Sequence, residues 1–379
     1  MLITQTKEIL KTIATEMLGE DNTIVTENLE NLQDIGNELI TQQNVDTYVK
    51  KLVDKIGKVV FKNRLLNSTA PSLLVDSWEY GAILQKVRMK LIPAEENDAV
   101  KLVDGQSYDQ NVFHQPTVSA TFFSKEITFE VPISYTTEQL KSSFNSESEL
   151  NGFYNLLETT VQNSLTVKTD ALIMRTINYR IGKTYTKGRT SQKINLLTGY
   201  NTVSGKSLTT ENCFQDEGFL KYAIAEIKNY QDRFKLPSSV FNDKKEEAFT
   251  PVQNQKLVLL SDFKNVVDTH LIPVVQNSEN LTLTCETVPY WQGSGASFSF
   301  EDISKIDVTL DTSTEVAKVN GIVGILFDDE ALKVGNLSQY VTTNYNAKGD
   351  FYTNYYKEQS GFFVDLAENF VIFYVANAD

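Results

Sequence analysis

"ESELNGFYNLLETTVQNSLTVKTDALIMRTINYRI", residues 147–181, carries Leu150, Phe153, Tyr154, Leu157, Val161, Leu165 and Leu172 at three- and four-residue spacings. That period places them on one helix face. "NSESE" (145–149) supplies capping residues at the front, and Gly182 is the expected stop. No proline stands between Pro132 and Pro237 to interrupt it. A helix of this span is roughly 50 Å long, well beyond the usual three turns. Such a length needs a purpose outside an ordinary core.

Just upstream the period changes from 3.6 to 2. "VRMKL" (87–91) sets Val87, Met89 and Leu91 against Arg88 and Lys90, and "EITFEVPIS" (126–134) alternates through Ile127, Phe129, Val131 and Ile133. The segment between them holds "PAEENDAV", "VDGQSYDQ" and "FHQP", and at about thirty residues it is too long for a tight turn. These features predict a long two-stranded arm formed by 87–91 and 126–134 with a polar tip. Isolated two-stranded hairpins are marginal in water, so the arm needs something to lie on.

Upstream again, the first 65 residues read as helical. In 44–62, Tyr48, Val49, Leu52, Val53, Ile56, Val59 and Val60 form a stripe, with Lys50, Lys51, Lys55, Lys58 and Lys62 on or beside the opposite face. That face is either solvated or turned to an anionic partner such as a neighbouring subunit. Downstream of 195 the pattern mixes helix and strand. "DEGFLKYAIAEIKNYQDRF" (216–234) is an amphipathic helix, "KLVLLS" (256–261) a buried strand and "DFKNVVDTHL" (262–271) a helix. "TLTCETVPYW" (282–291), "GIVGILF" (321–327) and "NFVIFYV" (369–375) read as further strands. The last forty residues are rich in Phe and Tyr, including "FYTNYYKEQSGFF", but Lys348 and Lys357 are outnumbered there by Asp350, Glu358, Asp365, Glu368 and Asp379. Packing rather than base stacking is the expected use of these rings. No internal repeat is visible.

The chain has 379 residues, a net charge of -14 and 41% hydrophobic content, which suits a globular protein with more than one lobe. Its acidity argues against a surface built to grip phosphates. No apolar run is long enough to span a membrane, and the N-terminus lacks the uninterrupted core of a secretion signal. Cys213 and Cys285 make neither a disulfide framework nor a zinc site, which suits a soluble protein that is made in a reducing compartment or has no use for disulfides.

Candidate chemistry is sparse. His114 and His270 are the chain's two histidines; His114 falls in a turn-like stretch and His270 on an expected apolar helix face, both read as structural. "GKT" at 182–184 lacks the glycine a phosphate loop needs at position 177, which is Ile177. "WQGSGAS" (291–297) has no strand-to-helix setting. In "GIVGILFDDEALKVGNL" (321–337), an apolar run ends on Asp328, Asp329 and Glu330. These could serve a divalent cation, but adjacent strand residues point to opposite faces. An aspartate before "EALKV" is instead expected to cap a helix. No catalytic, metal or cofactor residue is assigned and no cofactor is expected.

The order of pieces is helical arm, β-hairpin arm, very long helix, mixed α/β lobe and aromatic C-terminal strand. This order resembles the major capsid proteins of tailed double-stranded DNA bacteriophages, the Hong Kong 97-type fold. "SLLVDSWEYGAILQKVRMKL" resembles the entry to that family's extended loop, and "EITFEVPISYTTEQLKSSF" its return into the long helix. "KLVLLSDFKNVVDTHL" and "VNGIVGILFDDEAL" resemble its axial strand–helix units. "GDFYTNYYKEQSGFFVDLAENFVIFY" is similar to the C-terminal stretch in capsid proteins of phages infecting Gram-positive hosts.

The resemblance implies an α+β capsid fold and an organisation in five segments. These are an N-terminal helical arm (1–70), an extended β-hairpin loop (71–135), a peripheral domain (136–194) with spine helix 147–181, an axial domain (195–340) and a C-terminal aromatic segment with return strand (341–379). It implies a structural protein, not an enzyme, assembling with itself into pentamers and hexamers of an icosahedral or prolate shell around packaged DNA. The expected setting is the virion, with assembly in the host cytoplasm. A portal protein is an expected partner, no specific DNA binding or membrane contact is expected, and the short N-terminal region implies a separate scaffolding protein with no removed segment. Some relatives cross-link a Lys to a neighbour's Asn; Lys86, Lys90, Lys101 and Lys125 lie in the hairpin, but none is marked as desolvated, so no cross-link is expected. An encapsulin-type nanocompartment is the rival within the fold. A divalent-metal enzyme using Asp328, Asp329 and Glu330 is the rival outside it, and a tail or adhesion protein a third alternative.

Overall fold

The computed structural model describes residues 3–18, 32–41, 44–53, 70–75, 84–89, 94, 96–97, 100–107, 118–123, 126–271, 283–292, 299–310 and 315–377. The chain forms two compact units. The first comprises 1–80, 126–173 and 334–361, the second 81–125, 174–333 and 362–379. The chain crosses between the two units several times.

In the first unit, α1 (Ile3–Leu18), α2 (Leu32–Leu39) and α3 (residues 45–53) pack with α4 (Thr137–Ser143) and the first part of α5 (Glu147–Lys187). Leu10, Ile13, Ile35, Leu39, Leu52 and Tyr48 share one core with Leu150, Tyr154, Leu157, Val161 and Leu165. The Tyr48 and Tyr154 hydroxyls hydrogen-bond at 2.7 Å; burial, with Tyr154 beside it, pushes the Tyr48 phenol well up. Gly36 is needed where α2 meets Phe144, since a Cβ there would lie 2.9 Å from that ring. The sheet of this unit has the order β1–β11–β12–β4, from β1 (Leu74–Val75), β11 (Leu332–Asn346), β12 (Phe351–Val364) and β4 (Glu126–Thr136). Thr136 ends β4 and opens α4 through a reciprocal capping box with Gln139, at 3.1 and 3.0 Å.

The strand 126–134 thus pairs differently from the expectation. It runs antiparallel to β12 from Gly361↔Glu126 to Phe351↔Thr136, and β2 (Leu84–Met89) pairs instead with β3 (Val118–Phe123). Alternation fixes which face of a strand is buried, not which strand lies beside it. Helix α5 also differs: it runs 41 residues to Lys187, straight through Gly182. A Cβ on Gly182 would lie 3.1 Å from that of Ala317, so this glycine serves a close approach to β9 (Val316–Val319) and not a stop.

The second unit is built on a five-stranded sheet of order β5–β13–β10–β6–β7, from β5 (Lys193–Asn195), β13 (Phe370–Tyr374), β10 (Ile322–Asp328), β6 (Gln255–Leu260) and β7 (Glu286–Val288). Every residue of β10 is buried, which is why its sequence is a continuous apolar run and does not alternate. Helices α6 (Leu196–Ser204), α7 (Glu217–Arg233) and α8 (Ser261–Leu271) accompany the sheet, with Phe219, Leu220, Ile224 and Ile227 of α7 buried. Asp216 caps α7 by accepting from the Phe219 amide at 2.9 Å. β8 (Ile306–Thr309) pairs with β9, and β2 with β3, as separate two-stranded ribbons.

Candidate functional site

The acidic end of β10 is a turn between strands, not the start of a helix: residues 329–331 turn, and β11 begins at Leu332. Asp328 is buried, and its carboxylate accepts the Glu330 amide two residues on at 2.8 Å, while its carbonyl accepts the Ala331 amide at 2.8 Å. The side chain that could cap a helix instead closes a tight turn. Burial pushes the Asp328 carboxyl up. Glu330 turns elsewhere: burial raises it, but Lys333 at 2.5 Å and Lys86 at 3.6 Å outweigh this and hold its carboxyl below the ordinary value. Asp329 lies 3.7 Å from Lys333. Asp328 turns onto its own backbone while Asp329 and Glu330 share Lys333, and among the described residues no group of three such side chains could hold a metal ion.

Beside this turn sits a larger charged cluster. Lys86 and Arg88, two residues apart on β2, project from the same face. Lys86 reaches Glu368 at 2.7 Å and Asp365 at 3.5 Å. Arg88 pairs with Asp365 at 3.0 Å, with Glu368, and with the Ala367 carbonyl at 3.1 Å. Asp365 is held in the bend between β12 and β13 because its amide donates to the Ala331 carbonyl at 2.8 Å and its carboxylate accepts from the Ala367 amide at 2.9 Å. Burial raises the Glu368 carboxyl more than the two cations lower it. On the same side of the ribbon, Phe123 packs against Phe363 with ring centroids 4.8 Å apart, and Lys244 donates to the Thr121 hydroxyl at 3.2 Å.

The opposite face of the ribbon is bare, with Val87 58% and Phe122 62% exposed. Farther along, Val100, Leu102 and Val103 are 75%, 80% and 59% exposed. They stand ahead of a turn in which the Gln106 amide donates to the Val103 carbonyl, with Gly105 at φ +82°. The described part of the tip therefore presents these apolar side chains beside the expected polar ones, Glu96 and Asp104 among them. One face of the ribbon is thus seated by charge, and the other leaves apolar side chains exposed.

A family model describing the Phi29-like phage major capsid protein matches residues 10–374. The chain belongs to this capsid family. No curated protein sequence matches it. The fold is similar to a chain in the capsid structure of Staphylococcus phage Andhra, at 11% identity and TM-score 0.54 over 82% of this chain and 84% of that one. It is also similar to a chain in the structure of the head fiber and inner core protein gp22 of native bacteriophage P68, at 8% identity and TM-score 0.52 over 80% and 83%. A mixed helix-and-sheet capsid protein is a structural component of the virion, and its family and fold are structural rather than enzymatic.

The sequence-derived residues can be placed on this capsid subunit. His270 lies exposed in the last turn of α8 and not on an apolar face; His114 is outside the described residues. Lys86 is largely covered and ion-paired, and Lys101 is exposed; Lys90 and Lys125 are outside the described residues, as are Lys55, Lys58 and Lys62. Lys51 of α3 pairs with Glu16 at 2.6 Å. Sequence reasoning missed Asp365, Glu368 and the fully buried Arg180, which pairs with Asp243 and lies 4.8 Å over the Phe370 ring. The one available signal was the charge of Asp365 and Glu368 inside a strongly apolar segment. Among the described residues no helix is long and apolar enough to cross a membrane.

Proposed function

We propose that this capsid protein assembles into the pentamers and hexamers of an icosahedral or prolate shell around packaged double-stranded DNA, with the β2–β3 arm lying on an adjacent copy. The observation that carries the reading is the arm's exposed apolar surface, from Val87 and Phe122 to Val100, Leu102 and Val103. A monomer gains nothing from leaving these side chains in water, whereas a lattice of copies covers them. Heterologous contacts between copies close into rings and then shells. The first unit corresponds to the peripheral domain of a Hong Kong 97-type subunit and the second to its axial domain. The net charge of -14 fits a wall that confines DNA without gripping it. A separate scaffolding protein and a portal complete the assembly, which takes place in the host cytoplasm.

Deleting 94–115 and rejoining the flanks with Asn-Gly tests this directly. The expected subunit keeps its circular dichroism melt but forms no fast-sedimenting shells when co-expressed with its scaffold. Full shells from the deleted protein would remove the arm from assembly; a collapsed monomer would place these residues in the subunit core.

A further inference from the structure

We propose that Lys86 and Arg88 form an electrostatic latch that fixes the base of the arm onto Asp365 and Glu368 of the same subunit. The inference deepens the assembly reading above, since it concerns how the arm is held before it meets a neighbour. The two cations sit at alternate positions of β2, so one face of the ribbon presents both at once. Their acceptors are prefixed: Asp365 is held by hydrogen bonds to Ala331 and Ala367 whatever the arm does. Arg88 engages Asp365 and the Ala367 carbonyl with its two terminal nitrogens, a fork geometry that sets direction as well as distance. Two more carboxylates face the pair, Glu330 at 3.6 Å from Lys86 and Glu246 at 4.0 Å from Arg88. Lys333 shares Glu330.

The two carboxylates that receive the arm are largely shielded from solvent, with the Asp365 side chain 1% and the Glu368 side chain 11% exposed. Buried carboxylates without their cations are strongly disfavoured. The arm base is therefore either seated with its charges matched or released into water, with little stable ground between. Beyond the ion pairs, the described seat offers one aromatic contact, Phe123 on Phe363, and the Lys244–Thr121 hydrogen bond.

Trypsin reads the latch at the residues that make it, because the protease must take a Lys or Arg side chain into its own pocket. The variants are Asp365→Asn with Glu368→Gln, which keep shape and remove charge, and Glu368→Gln alone as the gentler change should the pair disturb folding. In the unassembled subunit, cleavage after Lys86 and Arg88 is followed by mass spectrometry relative to cleavage after Lys101 at the exposed tip. Circular dichroism and Trp291 fluorescence check the fold. The expected result is a rise of about tenfold in that ratio for the double variant, as the released population grows. Wild type should show a smaller rise on going from about 0.05 M to about 1 M salt. An unchanged ratio in both variants and at both salt levels overturns the latch, whatever shells do. A raised ratio leaves the latch standing whatever the shell yield; the assembly reading it rests on fails separately, if the 94–115 deletion still builds full shells.

Discussion

Two antiparallel ribbons of this chain are made of similar residue types and have opposite surroundings. β11–β12 lies inside a four-stranded sheet, flanked by β1 on one side and β4 on the other. Along β12 burial alternates strictly from Phe351 to Ser360, and the inward positions include Tyr352 and Tyr356, both almost fully buried. β2–β3 forms a sheet of its own, and its outward face leaves Val87 and Phe122 more than half exposed. The first ribbon spends its apolar residues on the subunit. The second leaves them exposed to water. An apolar side chain in a strand therefore says little about function until the strand's partners are known, because edge strands invite pairing and covered strands do not.

If that contrast is right, substitutions in the β11–β12 unit unfold the subunit, and substitutions on the outer face of β2–β3 spare it. The largest effect is expected for Leu157→Asp, on the stripe of α5 that packs in the same core as Tyr352 and Tyr356. Leu157 is 3% exposed, and an unpaired carboxylate there costs several kcal/mol. That rivals the roughly 5–15 kcal/mol stability of a domain, so the variant should be insoluble or lack a cooperative melt. A normal melt would place the packed face of α5 elsewhere. Next comes Tyr356→Ala, which removes a ring at 0% exposure; by analogy with other buried aromatics it should lose about 3–5 kcal/mol in denaturant titration. A loss near zero would mean that β12 is not the covered ribbon.

Phe122→Ser is the counterpart on the exposed ribbon. At 62% exposure, its change in unfolding free energy should stay within about 0.5 kcal/mol. Shell yield by gradient sedimentation should nevertheless fall by about tenfold or more, since a modest loss repeats at every contact of the lattice. A destabilised monomer with normal shells would reverse the contrast.

How far the sequence reveals this follows from the range of each interaction. The α5 stripe and the strands β10 and β13 are legible because their signals are local: periodicity and a continuous apolar run. Strand partners are not. "EITFEVPIS" alternates equally well whichever strand lies beside it, and its partner β12 begins more than two hundred residues later. The Asp328 turn misleads because the same side chain caps helices and closes turns through the same acceptor. Gly182 misleads because a helix stop and a close approach to Ala317 both call for the smallest residue. The latch is illegible for the plainest reason: Lys86 and Glu368 are 282 positions apart, and no local pattern links them.

The smallest expected effect lies in the turn of the covered ribbon. Asp350 sits at φ +48°, a left-handed conformation that Asp and Asn tolerate better than most residues. Its carboxylate accepts from the Thr137 hydroxyl at 2.7 Å and the Tyr345 hydroxyl at 2.9 Å. The Thr137 bond leads, and together they hold its carboxyl below the ordinary aspartate value. A depressed folded-state value means that Asp350 contributes stability above the unfolded aspartate pKa of about 4. That contribution falls away as pH drops through the lower folded value. Asp350→Asn keeps the backbone preference and one acceptor oxygen but cannot titrate. Wild type and variant should differ in melting temperature at pH 7, and the gap should narrow as pH falls below about 4. The group is exposed, so the gap is small and is read from matched melts across the pH series, not from one condition. A variant that melts above wild type at pH 7, with the gap closing in acid, would mean that the charge on Asp350 opposes the turn. The covered ribbon would then close through its backbone and the Asn346 side chain, which accepts from the Lys348 and Gly349 amides at 3.0 Å each.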